Sequence, residues 1–274
     1  MRIHVIHQGK TSFAFLCIAQ TSDLPADVCS FLSKQELAML EQFGSEQAKS
    51  AFLLGRYSAK TAILLARQTL GGEDGPVCEE EVKRLAKSGL MPNIYIENGI
   101  FGQPIIRFLP KLTGTVMSEV IFPFDVSIAH SCHDSAAIGA SIVFDKAFPI
   151  GVDIENISRT PSKFLAEKIT DDEIENFQDK ELGRLVAWGF KEALSKVLKT
   201  GITLPLYFFH MSPIKITSDT HKLFVIGYTG EFEFFSQYSC VSRIYKPPKT
   251  HSQAFCDCEC VLSIVSPKHC LLIL

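Results

Sequence analysis

The segment Ala187–Gly201, A-W-G-F-K-E-A-L-S-K-V-L-K-T-G, predicts the helix around which the fold of this chain is organised. Its apolar residues recur at three- and four-residue spacing, the pattern of an amphipathic helix. Lys199 supplies a cation in the last turn, and Gly201 stands where a glycine commonly ends a helix. The pattern therefore predicts a helix that ends just before Gly201.

Three side chains of this helix, Trp188, Glu192 and Lys196, follow one another at four-residue spacing and share one face. Glu192 and Lys196 can therefore point into the same space. A simple ion pair on a solvated helix face, worth about 0.3–0.5 kcal/mol, is one interpretation. A pair of functional side chains is the other.

Upstream, the segment Gly151–Glu155 reads G-V-D-I-E at the end of an apolar run. Strand alternation places Asp153 and Glu155 on the same face. Neighbouring carboxylates repel each other, which favours a cation or a hydrogen-bond donor beside them. A solvated acidic face on an edge strand is the alternative explanation.

Together, these two segments resemble the G-[VI]-D-x-E and W-x-x-K-E-[AS]-x-x-K motifs of the 4′-phosphopantetheinyl transferase superfamily. Three further segments resemble family motifs in the family's order, and the resemblance covers roughly residues 35–201. They are F-L-L-G-R at Phe52–Arg56 with Lys60, G-Q-P at Gly102–Pro104 and V-S-I-A-H-S at Val126–Ser131. The length is similar to the surfactin-synthetase-type branch, in which two similar halves are fused in one chain.

The resemblance implies an α+β fold with two similar halves in a pseudo-twofold arrangement and the active site in the cleft between them. We expect an N-terminal half over residues 1–115 with the coenzyme-binding helix, and a C-terminal half over residues 116–274 with the acidic residues. It also implies a monomer.

The activity implied by the resemblance is Mg²⁺-dependent transfer of 4′-phosphopantetheine from coenzyme A to a serine of an apo acyl or peptidyl carrier protein, with release of 3′,5′-ADP. Asp153, Glu155 and Glu192 are then the expected Mg²⁺ ligands. Glu192 is the first choice for the general base and Asp153 the second. Lys196 is expected to neutralise a phosphate and to stabilise the leaving group.

The same resemblance implies a set of coenzyme contacts. Arg56 and Lys60 are expected near the 3′-phosphate, and Lys191 at the edge of the site. The remaining expected contacts are Gly102, Gln103, Pro104, His130 and Ser131. Two positions depart from the family pattern, because Gln103 replaces a lysine and Ala129 replaces a serine. A solvated basic edge of a helix would also explain Arg56 and Lys60.

Two other functions remain open at this point. A catalytically degenerate module that binds carrier protein or coenzyme A would tolerate Gln103 and Ala129. Another Mg²⁺-dependent phosphotransferase could use the same carboxylates, although the sequence has no Walker glycine loop. A zinc site is a further alternative for Cys256, Cys258 and Cys260, which we interpret instead as the apolar face of a strand.

Composition limits the class of protein. The 274 residues are 46% hydrophobic, enough for a sizeable core, and the net charge of −3 argues against a nucleic-acid-binding protein. Nine scattered cysteines do not form a secreted disulfide pattern, so a reducing cytoplasm is expected. No apolar run approaches the roughly 18 residues of a membrane span.

Local patterns predict several further elements. They are an N-terminal hairpin turning at residues 8–10, a helix that begins with a capping box at Ser33–Glu36, a helix over residues 45–70, strands over 94–96, 105–108, 125–129 and 136–143, and two helices over 161–169 and 171–177.

Overall fold

A computed structural model of the chain describes residues 1–7, 10–70, 79–109, 122–133, 136–157, 162–217, 224–246 and 259–273. The chain forms two compact units. The first contains Met1–His130, Ala137–Pro149 and Cys270–Leu274, and the second contains Ser131–Ala136 and Ile150–His269. Residues 137–149 of the first unit follow the expected division at residue 115.

The fold is α+β, as predicted. The strands are β1 (Arg2–His7), β2 (Lys10–Gln20), β3 (Ile94–Asn98), β4 (Pro104–Phe108), β5 (Phe124–His133), β6 (Ala136–Asp145), β7 (Gly151–Asn156), β8 (Lys215–Thr217), β9 (Phe224–Glu231), β10 (Tyr238–Tyr245), β11 (Cys260–Pro267) and β12 (Leu271–Ile273). The helices are α1 (Lys34–Leu40), α2 (Glu46–Leu70), α3 (Glu79–Ala86), α4 (Ser162–Lys168) and α5 (Lys180–Val197). None of the helices in the described ranges is long and apolar enough to cross a membrane.

In the first unit, a five-stranded sheet has the order β12-β1-β2-β6-β5 and packs against α2. The predicted hairpin is confirmed, since β1 and β2 pair antiparallel out to His7 and Lys10, while residues 8–9 lie outside the described part. The capping box is confirmed as well. Ser33 Oγ accepts the Glu36 backbone N–H, and a Glu36 carboxylate oxygen accepts the Ser33 N–H.

In the second unit, a five-stranded sheet has the order β7-β11-β10-β9-β8 and packs against α5. The strand β7 pairs antiparallel with β11, which places Asp153 opposite Ser263. The apolar face of α5 that the sequence predicts is buried, with Val186, Phe190 and Leu194 at 0% exposure. The helix begins after Asp179, whose carboxylate accepts two backbone N–H groups.

Glycine permits the close packing of α5 on this sheet. A Cβ atom added at Gly151 would lie 2.0 Å from the backbone carbonyl oxygen of Ala193 in α5. A Cβ atom added at Gly189 would lie 2.5 Å from Ser263 Oγ on β11. Both glycines of the G-V-D-I-E and W-G-F-K-E motifs therefore hold helix and sheet at a separation that no other residue allows.

Two local predictions are wrong. The helix α5 ends at Val197, and Lys199, with φ of 56°, takes the left-handed position that terminates it, while Gly201, with φ of 58°, is also left-handed two residues later. Residues 171–177 form turns rather than a helix. Thr170 and Glu173 make the capping contact of a helix start, but the turns do not extend into a helix, and the second Glu173 carboxylate oxygen accepts the backbone N–H of the distant Met211.

We expect Gly151→Ala to lower the free energy of unfolding by about 2–3 kcal/mol, because the added methyl overlaps a backbone atom that cannot move aside. Chemical denaturation measures the change. Gly44→Ala is the matched control, since a Cβ atom there meets nothing within 4 Å. Equal stability of the two variants would contradict the close-packing argument.

Candidate functional site

The second unit joins Asp153 of β7 to Lys196 of α5. Lys196 Nζ donates to Asp153 Oδ1 at 2.7 Å and to the Val152 carbonyl oxygen at 3.0 Å. Asp153 is 5% exposed, whereas the Lys196 side chain is 24% exposed. The ion pair is therefore buried on the carboxylate side and open to solvent on the ammonium side.

Glu192 lies one helical turn before Lys196 and is half-buried. Burial raises the pKa of Glu192, and repulsion from Asp153 raises it further, while Lys196 acts in the opposite direction. The carboxylates of Asp153 and Glu192 are therefore close enough to repel each other. Within this group the close partner of Lys196 is Asp153, so the simple ion pair between Glu192 and Lys196 does not describe the arrangement.

Glu155 is held by a different contact. Ser131 Oγ donates to Glu155 Oε2 at 3.1 Å and accepts the backbone N–H of Asn156 at 3.1 Å. Ser131 is 1% exposed, so its hydroxyl is buried in these two contacts and does not face an open surface. In the described residues no group of three or more His, Cys, Asp or Glu side chains is gathered closely enough to hold a metal ion. The predicted triad is thus brought together only as the pair Asp153 and Glu192.

The chemistry of this pair nevertheless fits a hard cation. Among the described residues Asp153 Oδ2 has no hydrogen-bond partner although it is buried. This oxygen lies 3.6 Å from the position of a Cβ atom on Gly189, on the side of α5. A buried carboxylate oxygen without a donor is unfavourable unless a cation or a ligand satisfies it. Asp153 and Glu192 are therefore the carboxylates that could hold a divalent ion.

The zinc alternative for the cysteine-rich strand receives no support. Cys256 and Cys258 lie outside the described residues. Cys260, at the start of β11, is 1% exposed. It behaves as a small apolar residue of the core.

The first unit contains a cavity of about 410 Å³ at one end of α2. Its walls come from α2, from β5 and from the loop that joins β3 to β4. The lining residues are Phe43, Ala48, Ala51, Phe52, Gly55, Arg56, Asn98, Gly102, Pro104, Ile128 and His130. Arg56, Gly102, Pro104 and His130 of the expected coenzyme contacts are therefore brought to one cavity.

Arg56 is the cation of this cavity. It is 7% exposed, and its guanidinium carbon lies 4.7 Å from the centre of the Phe52 ring. One terminal nitrogen donates to Asn98 Oδ1 at 3.4 Å, a long hydrogen bond. An arginine that packs on an aromatic ring and has a weakly bound terminal nitrogen is well suited to bind a phosphate.

The loop between β3 and β4 explains the departure at Gln103. Gly102 has φ of 77°, and Gly99 N–H donates to the Gln103 carbonyl oxygen at 2.7 Å, which closes a tight turn. The Gln103 side chain folds back over this turn, where its Oε1 accepts the Phe101 N–H at 2.9 Å. Its amide oxygen is therefore engaged within the turn.

Two lysines that the resemblance assigns to the coenzyme are placed elsewhere. Lys60 has 0% exposure and pairs with the buried Glu36, outside the lining of the cavity. Lys191 is 2% exposed and lies 2.8 Å from Glu173, at the wall of a different cavity in the second unit. Neither ammonium is free to bind a solvent-borne phosphate. Sequence reasoning also missed Asn98, for which the pattern offered no sign.

Comparison with known proteins gives the class to which the second unit is similar. Residues 149–256 match the family model of the 4′-phosphopantetheinyl transferase superfamily, ACPS, and this span includes both β7 and α5. A solved structure described as a Chronobacterium ammoniagenes ACPS-CoA complex is 14% identical, with coverage of 48% of this chain and 98% of that chain and a TM-score of 0.30. No curated protein matches the chain.

The raised pKa of Glu192 has a consequence for stability. A carboxyl whose folded pKa lies above its unfolded value contributes stability at low pH, and this contribution is lost as the pH rises through the folded pKa. We therefore expect Glu192→Gln to raise the melting temperature in metal-free buffer at pH 8 and to change it much less at pH 4.

The control is Glu181→Gln on the same helix, whose side chain is 54% exposed. Its melting temperature should stay close to that of the wild type at both pH values. A Glu192→Gln protein that is less stable than the wild type at pH 8 would contradict the burial argument.

Proposed function

We propose that this protein transfers the 4′-phosphopantetheine group from coenzyme A to a serine hydroxyl of an apo carrier protein, with Mg²⁺ as cofactor. The observation that carries the proposal is the buried Asp153 beside Glu192 and Lys196, on the strand and helix of the span that matches the superfamily model.

Glu192 is the proposed general base. Burial raises the pKa of Glu192, so its carboxylate is a stronger proton acceptor than that of an ordinary surface glutamate. In the proposed reaction the serine oxygen forms a bond to the pantetheine-bearing phosphorus, and the bond from that phosphorus to the bridging oxygen breaks. The serine proton goes to Glu192, and 3′,5′-ADP leaves with the bridging oxygen.

Lys196 and Asp153 define the electrostatics around this base. The ammonium of Lys196 is partly exposed, so its positive charge is available to a pyrophosphate oxygen while it holds Asp153 in place. This contact would favour the negative charge that develops on the leaving group. Asp153 is the second candidate for the general base, after Glu192.

Mg²⁺, when bound, would neutralise the pyrophosphate and act on it as a Lewis acid. Asp153 and Glu192 would hold it, since Asp153 Oδ2 is a buried acceptor without a hydrogen-bond partner in the described residues. Glu155 is the third carboxylate proposed for this task. In the metal-free chain Ser131 holds it in position on β7.

The cavity of the first unit is the proposed site for the phosphorylated adenosine of coenzyme A. Phe52, Pro104 and Ile128 give it apolar walls, and Arg56 supplies a positive charge. His130 is exposed at the cavity and can donate to a phosphate oxygen. Lys60 and Lys191 are not part of this proposal, because both are buried in ion pairs.

Intact-mass spectrometry of apo carrier proteins incubated with the protein, coenzyme A and Mg²⁺ tests the proposed function. We expect a gain of about 340 Da, one phosphopantetheine group, which EDTA abolishes. No gain with any carrier, although coenzyme A still binds, would indicate the degenerate binding module. No gain and no coenzyme binding would overturn the proposal and favour another phosphotransferase.

Glu192→Gln should lower the turnover number by at least about 100-fold, as expected when a positioned general base is removed. Circular dichroism should show an intact fold. Glu181→Gln, one surface charge removed from the same helix, should retain wild-type turnover. Wild-type turnover by the Glu192→Gln protein would exclude its assignment as the base.

A further inference from the structure

One carboxylate of the first unit, Glu36 on α1, is completely buried and fully occupied. Its Oε2 accepts the backbone N–H of Ser33 at 2.9 Å, and its Oε1 accepts the N–H of Ile96 on β3 at 3.1 Å. Lys60 Nζ also contacts Oε2, and Arg56 Nε lies 3.4 Å from Oε1. A single carboxylate therefore joins α1, β3 and two cations of α2.

The two cations use Glu36 differently. Lys60 has 0% exposure, and its second contact is the carbonyl oxygen of Phe31 at 2.7 Å, so its charge acts only inside the core. Arg56 faces Glu36 with its Nε edge, while a terminal nitrogen reaches Asn98 at the cavity. Among the described residues Arg56 Nε has no well-aligned hydrogen bond, so the contact with Glu36 is an ion pair.

The charges of this group leave one positive charge over. Glu36 carries one negative charge, and Lys60 and Arg56 each carry one positive charge. Because Lys60 lies closer to Glu36 than Arg56 does, it is the main counter-charge of the carboxylate. The group as a whole then keeps one net positive charge, and Arg56 is the residue of the group that lines the cavity.

We propose that Glu36 and Lys60 are positioning residues for coenzyme binding: Glu36 orients the guanidinium of Arg56, and Lys60 neutralises Glu36 so that Arg56 offers its full charge to a phosphate of coenzyme A. This inference rests on the proposed function, and it gives Lys60 an indirect role in place of the direct phosphate contact that its sequence position suggests.

The orientation of Arg56 supports this role. Glu36 binds the Nε side of the guanidinium, and the ring of Phe52 lies 4.7 Å from its central carbon. These contacts leave the terminal nitrogens as the part available to a ligand. The hydrogen bond to Asn98 is 3.4 Å long, so a phosphate oxygen could replace it at low cost.

The state of Lys60 also makes the device sensitive to pH. Burial lowers the pKa of Lys60 to about 8, although Glu36 opposes the shift, and repulsion from Arg56 adds to it. Burial lowers the pKa of Arg56, and Glu36 and then Tyr95 on β3 oppose this shift. When Lys60 loses its proton, Arg56 is the remaining cation beside Glu36, so the carboxylate neutralises the guanidinium. The affinity for coenzyme A should therefore decrease above about pH 8.

Isothermal titration calorimetry of the full chain with coenzyme A, in metal-free buffer, tests the inference through a charge cycle. Lys60→Met should weaken binding by about tenfold or more at pH 7.5, because Glu36 then neutralises Arg56. The double variant Glu36→Gln with Lys60→Met should recover most of this loss, since it restores the single positive charge and keeps an oxygen for Arg56 Nε.

Lys49→Met is the matched control, since it removes one lysine charge from the same helix at a surface pair with Glu46. It should bind coenzyme A within about twofold of the wild type. If Lys60→Met does not fold, the wild type itself gives the answer. Its affinity should fall between pH 7 and pH 9, while that of the double variant should stay flat.

The outcomes separate this inference from the proposed function. Wild-type binding with unchanged affinity for Lys60→Met, or with a flat pH profile where that variant does not fold, would overturn the inference alone. A folded double variant as weak as Lys60→Met would also overturn it, because the loss would then come from packing and not from charge. A wild-type protein that does not bind coenzyme A, either in this buffer or with Mg²⁺ added, would overturn both.

Discussion

The candidate site of the second unit depends on the direct packing of the α5 backbone on β7. At Gly151 the two backbones approach so closely that a Cβ atom would lie 2.0 Å from the Ala193 carbonyl oxygen. At this distance a short side chain of the strand, Asp153, reaches the ammonium of Lys196 at 2.7 Å. A wider separation would require water or a longer acid between them. The absence of a side chain at Gly151 therefore sets both the helix–sheet packing and the short distance between Asp153 and Lys196.

Three lysine–carboxylate pairs in this protein differ in what they leave unsatisfied. The pairs of Glu36 with Lys60 and of Glu173 with Lys191 are buried on both sides, and backbone N–H groups fill the remaining carboxylate positions. Such complete satisfaction offsets desolvation and makes these pairs part of the framework. Asp153 instead keeps one buried oxygen without a donor among the described residues, an unfavourable state that a bound cation or ligand would relieve.

Sequence patterns predicted the features that depend only on neighbouring residues. The capping box at Ser33 and the apolar stripe of α5 depend on residues within a few positions, and both are confirmed. The depth of Lys60 and Lys191 could not be predicted, because their partners lie 24 and 18 residues away and no helical spacing reveals them. The burial of Glu173 could not be predicted either, because Lys191 and Met211, which contact its carboxylate, lie 18 and 38 residues away.

The four-residue spacing of Arg56 and Lys60 shows why a motif position alone does not assign a role. Both lie on one face of α2, yet most of this helix is buried, so the shared face leads into the core at Lys60 and to the cavity at Arg56. Spacing determines direction around a helix axis and says nothing about depth along it. Once Glu36 is included, both cations contribute to the proposed anion site, because a buried counter-charge changes how strongly the charge of Arg56 at the cavity attracts a ligand.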